Sequence, residues 1–172
     1  MQARGVSLWL TPEGPEAQAL GAIVSELSCR FGTPAFTPHV TLMAGLALHP
    51  EAVVGRCREL ARGLHPFSLR FLGVQRGADY FRTLFVLASP DLPILDARQR
   101  AESLFAAHPR ESFMPHLSLL YGALPTETLR LLAEEVSASS PPSLLLQTLE
   151  VVSTEGPVSA WRSLARLPLG GR

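Results

Sequence analysis

The chain is 172 residues long, 47% hydrophobic and 17% charged, with fifteen basic residues against fifteen acidic ones. That length suits one compact domain, or two lobes over a shared core; the composition excludes a disordered chain, and no run of eighteen apolar residues marks a membrane span. A formal net charge of zero offers no field to gather a long nucleic-acid backbone, which leaves a small anionic substrate open.

Residues 1–5 lead straight into a short apolar run with no cleavage pattern after it, so no secretory signal is read and cytoplasm is expected. Residues 6–10 alternate Val6, Leu8 and Leu10 with Ser7 and Trp9, which predicts a strand with Trp9 away from the aliphatic side. Over residues 15–30, Ala19, Leu20, Ile23, Val24 and Leu27 recur at helical spacing behind Pro15. A strand over 39–46, a helix over Pro50–Gly63, a strand over 67–74 and a nearly all-apolar strand over 82–88 follow, the last two forming a hairpin around the Gly77-Ala78-Asp79 turn. Beyond them come a helix over 91–107, a strand over 116–122, a helix over Thr126–Ser137 with Thr126 as its cap, and two strands over 144–153 and 160–167. Cys29 and Cys57 read as buried free thiols rather than a disulfide framework.

One pattern occurs twice. Pro38-His39-Val40-Thr41-Leu42 returns, 77 residues on, as Pro115-His116-Leu117-Ser118-Leu119. Successive strand side chains point to opposite faces, so each histidine shares a face with a hydroxyl while the aliphatic residues take the other. Each half of the chain supplies strand, helix, histidine strand and helix. Two similar α+β lobes of one domain spanning residues 1–172 are therefore expected to face each other and bring His39 and His116 together. Two imidazoles flanked by hydroxyls make a candidate acid/base pair.

These residues resemble the paired His-x-Thr/Ser motifs of the two-histidine phosphoesterases. Within that superfamily the chain is most similar to the plant and yeast cyclic phosphodiesterases, because Phe113-Met114-Pro115-His116-Leu117-Ser118-Leu119-Leu120-Tyr121 runs through that group's second motif. Ser7-Leu8-Trp9-Leu10, the stretch from Tyr80 to Leu87 and the stretch from Ala160 to Ala165 extend the likeness over nearly the full length. The resemblance implies an α+β fold with two small antiparallel sheets, helices outside, lining a central cleft. It implies hydrolysis of a cyclic phosphodiester with no metal and no cofactor. Carried over residue by residue, His39 and His116 are the general acid and base, Thr41 and Ser118 bind phosphate oxygens, and Trp9 and Tyr121 hold the sugar or base. The implied substrates are small cyclic-phosphate nucleotides: nucleoside 2′,3′-cyclic phosphates or ADP-ribose 1″,2″-cyclic phosphate.

The chemistry asks for the same residue types. A strained five-membered cyclic phosphate needs water activated on one side and the leaving oxygen protonated on the other, and imidazoles with pKa near 6.5 do both. Hydroxyl donors then stabilise the charge building on the nonbridging oxygens. All fifteen basic residues are arginine, which excludes Schiff-base and P-loop lysines. Arg82 and Arg162 read as solvated rather than as anion guides. A zinc reading lacks a third ligand near either motif, and His49, His65 and His108, each beside a proline, read as solvated turn residues. Spacing leaves the acid and base roles open, with a lean to His116 as base and His39 as acid. Tyr121 stands opposite His116 on strict alternation, so it reaches the cleft only if the strand bends or ends near Leu120. The alternatives are an enzyme directed at RNA ends, similar to the 2′,5′ RNA ligases, a non-catalytic nucleotide-binding module, and a structural domain. A monomer, with no membrane partner, is expected.

Overall fold

A computed structural model describes residues 3–106 and 112–170. The elements are β1 (Val6–Pro12), α1 (Pro15–Phe31), β2 (Val40–Leu46), α2 (Pro50–Gly63), β3 (Phe67–Arg76), β4 (Leu84–Ala88), α3 (Leu92–Phe105), β5 (His116–Leu120), α4 (Thr126–Ser137), β6 (Ser143–Ser153) and β7 (Arg162–Pro168). Single 3-10 turns, Tyr80–Arg82 and Val158–Ala160, precede β4 and β7.

The helices follow from their apolar spacing. In α1, Leu20, Val24 and Leu27 are buried, Glu16 complements the positive N-terminal end, and Gly32 closes the helix at φ 62°. Its Cys29 is exposed, contrary to the buried thiol expected, because Ser28 takes the inward position; Cys57 in α2 is buried and free. Thr126 is the first helical residue of α4 and not its cap. The extended Pro125 occupies that place, and no side chain among the described residues caps the helix. Expected residue 107 and His108 lie outside the described residues.

All seven strands pair antiparallel, in the order β1-β2-β5-β4-β3-β6-β7, and β1 also pairs with β6. The strands thus fall into two sets, β1-β2-β6-β7 and β3-β4-β5. The sets meet at two seams: four residue pairs between β3 and β6, and the single pair Val40↔Leu117 between β2 and β5. The α+β architecture with its two antiparallel halves is as expected. Leu8, Leu10, Leu42, Leu117 and Leu119 are fully buried beneath the helices, of which α1 packs on β5, α2 on β6 and β7, α3 on β2 and α4 on β3.

The narrow seam positions the motifs. Around Val40↔Leu117, antiparallel register turns His39 toward Ser118 and Thr41 toward His116. Away from that pair the two strands part, and a cavity opens on the face opposite the leucines. Strand β3 departs from simple alternation. A register shift between Phe71 and Gly73, where Gly73 takes φ 129°, leaves Leu72 exposed and turns Val74 toward the core.

Candidate active site

Each histidine is fixed by the residue two positions before it. His39 Nδ1 lies 2.6 Å from the Thr37 carbonyl oxygen, and His116 Nδ1 lies 2.8 Å from that of Met114. Because a carbonyl only accepts, each Nδ1 carries the proton and each Nε2 is left as the reactive nitrogen. The intervening prolines, Pro38 and Pro115, fix φ and carry no N–H. Proline-histidine is therefore a local device that sets a tautomer, used twice.

His39, Thr41, His116, Ser118, Trp9 and Tyr121 all line one cavity of about 420 Å³. His39 is buried and His116 half-buried. Burial pulls His39 down to about 4, against the Thr37 hydrogen bond and with a further push from His116. Burial also lowers His116, opposed by the Met114 hydrogen bond and reinforced by the Arg82 guanidinium. Both rings are therefore neutral at pH 7 in the free protein, rather than sitting at the ordinary histidine value.

The hydroxyls differ. Ser118 donates to the Phe81 carbonyl oxygen at 2.8 Å, whereas the Thr41 side chain forms no hydrogen bond among the described residues. The aromatic residues form a connected wall. Trp9 stacks face to face on His39 at 3.7 Å and meets Trp161 edge-on at 5.8 Å. Tyr121 does reach the cavity, because β5 ends at Leu120. It is buried with one face on Phe36 at 3.7 Å, and burial pushes its hydroxyl up, partly offset by Ser118. Trp9 and Tyr121 thus each have one ring face covered, and the more open rings are Phe81 and Trp161, 5.7 Å apart.

Sequence reasoning missed Phe81 and Trp161 as cavity residues, along with Asp79 and Arg82. Arg82 is not simply solvated. The 3-10 turn before β4 swings it into the cavity, where it pairs with Asp79. Arg162 lies outside this cavity, in a second pocket behind Trp9. His49 and His65 are exposed, as expected. Among the described residues no three His, Cys, Asp or Glu side chains cluster, and no helix is long and apolar enough to cross a membrane.

Residues 4–169 match the family described as cyclic phosphodiesterase-like protein. The chain belongs to that family. The relatives of this cyclic phosphodiesterase-like protein include the "Cyclic phosphodiesterase" of Arabidopsis thaliana, 26% identical over 70% of this chain and 67% of the relative. The "2′,3′-cyclic-nucleotide 3′-phosphodiesterase" of Kluyveromyces lactis is 26% identical over 97% of this chain and 100% of the relative. Among solved structures, Escherichia coli LigT superposes with a TM-score of 0.63 at 14% identity, covering 98% of each chain. TT0787 of Thermus thermophilus does so at 0.61 with 19% identity, covering 96% of this chain and 99% of its own. The fold is that of the two-histidine phosphoesterases, and this cyclic phosphodiesterase-like protein is a phosphoric diester hydrolase.

Proposed function

We propose that this phosphodiesterase hydrolyses a nucleoside 2′,3′-cyclic phosphate to a phosphomonoester without a metal, using His39 and His116 as its acid and base. The observation that carries the reading is the matched pair of imidazoles, each tied at Nδ1 to a carbonyl two residues back and both lining one cavity. A structural histidine has no need of a free Nε2 facing an open cavity; a proton-transfer group does. The activity named for the Kluyveromyces lactis relative agrees with this substrate, and E. coli LigT has been crystallised with 3′-AMP and with phosphate.

The unequal burial of the two rings supports an assignment of roles. A productive enzyme holds one proton between them, and it resides on the half-buried His116, where solvent stabilises an imidazolium better than in the buried surroundings of His39. His39 is therefore the base and His116 the acid, the reverse of the lean drawn from the sequence. His39 Nε2 takes a proton from water as its oxygen attacks phosphorus. The protonated His116 gives its proton to the ribose oxygen as the ring P–O bond breaks, and solvent returns the pair to its starting state. Thr41 donates to a nonbridging oxygen, and Arg82 faces the same charge from the 3-10 turn. Ser118 must first turn its O–H away from Phe81.

A substrate panel in excess EDTA tests the reading: nucleoside 2′,3′-cyclic phosphates, ADP-ribose 1″,2″-cyclic phosphate and a 2′,5′-linked dinucleotide. Turnover of the first group is expected. Turnover of the dinucleotide alone would replace this reading with the RNA-directed one. Binding without turnover would leave a nucleotide-binding module.

A further inference from the structure

Behind Trp9 and Trp161, on the side away from His116, lies a second pocket of about 230 Å³ lined by Phe36, Thr37, Glu150, Arg162 and Ser163 as well as the two indoles. Glu150 is out of place there. It is more than nine-tenths buried, at 6% exposure, and its Oε2 has no hydrogen-bond partner among the described residues. A buried charged oxygen is costly to leave unpaired, and such groups are usually satisfied or absent. No ion pair forms to Glu150 among the described residues. Arg166, its cross-strand neighbour on β7, is held by Glu13 at 3.2 Å. The orphaned Glu150 carboxylate, beside aromatic walls, describes a polar recess that lacks its complement.

The recess adjoins the catalytic cavity. Trp9 pairs directly with Glu150 across β1 and β6, which sets their Cβ atoms about 5 Å apart, and the Trp9 indole stacks on His39. Trp9 and Trp161 line both cavities, so a nucleoside whose phosphate lies at His39 can extend its base past the indoles toward Glu150. A carboxylate only accepts, so it selects a base edge by its N–H donors. Guanine presents two adjacent donors, N1–H and the N2 amino group, in the spacing a carboxylate accepts as a pair. Uracil presents a single N–H flanked by two carbonyl oxygens that a carboxylate repels, and adenine and cytosine each present an amino group beside an acceptor nitrogen.

We propose that this pocket is a base subsite in which the Glu150 carboxylate accepts from the N1–H and N2 amino donors of guanine, making guanosine 2′,3′-cyclic phosphate the preferred nucleotide. The proposal rests on the nucleotide reading of the catalytic cavity. Its test is the ratio of kcat/KM for guanosine to that for uridine 2′,3′-cyclic phosphate, taken on one preparation so that any unfolded fraction cancels. The expected ratio is about tenfold or more in the wild type, the usual discrimination of one bidentate contact. It falls to near one in Glu150→Gln, and falls likewise in Glu150→Asp, whose shorter side chain draws the acceptor back. Removing a buried unpaired charge also leaves Glu150→Gln with a melting midpoint at or above that of the wild type. A wild-type ratio near one, a ratio that survives in both variants, or a midpoint several degrees lower in Glu150→Gln would each overturn the subsite. Turnover of both nucleotides without preference sinks the subsite alone, whereas absence of any turnover sinks the nucleotide reading and the subsite with it.

Discussion

Burial shifts the protonation of both imidazoles at the site. His39 titrates at about 4 in the folded protein and near 6.5 when unfolded, so folding excludes a proton that the unfolded chain takes up. The stability this contributes is present above about pH 6.5 and is lost as pH falls toward 4, on the order of 3 kcal/mol for His39 alone. Urea midpoints at pH 7, 5.5 and 4.5 should therefore fall, and fall less steeply in His39→Leu. The same shifts move the bell-shaped pH profile of kcat/KM below the ordinary histidine range, with its acid limb near the His39 value. The assignment of roles has its own readout. On a diester with a nitrophenolate leaving group, which needs no proton, His116→Ala should recover most of its activity and His39→Ala should not. Equal recovery would remove the assignment. Thr41→Ala should lower kcat by about 10² and Ser118→Ala by less, since the Ser118 hydroxyl is already committed to Phe81.

Among elements, the turn from β3 to β4 is the most constrained part of the site. A Cβ on Gly77 would lie 2.2 Å from the Arg82 carbonyl oxygen, so Gly77→Ala must push aside the 3-10 turn that carries Phe81 and Arg82. The expected cost is about 1–3 kcal/mol, with KM raised more than kcat is lowered; steady-state kinetics beside a thermal melt checks both. This turn also marks where the sequence stopped being legible. The strands and helices were readable from apolar period because packing of leucines and valines decides them. His39, Thr41, His116 and Ser118 were readable because a strand fixes which side chains share a face. Phe81, Arg82 and Trp161 were not, since each stands at or beside a 3-10 turn whose direction no periodicity records. The bulge in β3 escaped for a related reason: a one-residue insertion reverses inside and outside without changing composition.

For the molecule as a whole, the two halves communicate through a thin seam. Leu117 is fully buried, pairs with Val40 on one side and Val86 on the other, and stands next to His116. Leu117→Ala should cost about 2–5 kcal/mol in urea unfolding and should also misalign the two histidines, so kcat falls even where the protein remains folded. That the chain forms two facing halves was visible in its repeated motif; that they join edge to edge through four β3–β6 pairs and a single β2–β5 pair beside the histidines was not, because pairing between distant strands leaves no local signature. Glu150 was equally silent, a single acidic residue in a strand whose burial only the assembled sheet creates. Metal-free catalysis by the two histidines is tested by hydrolysis of a nucleoside 2′,3′-cyclic phosphate in excess EDTA by the wild type, His39→Ala and His116→Ala. Turnover that survives EDTA and falls by about 10² to 10⁴ in each variant is the predicted result; loss of wild-type turnover in EDTA, or variants as active as the wild type, would contradict it.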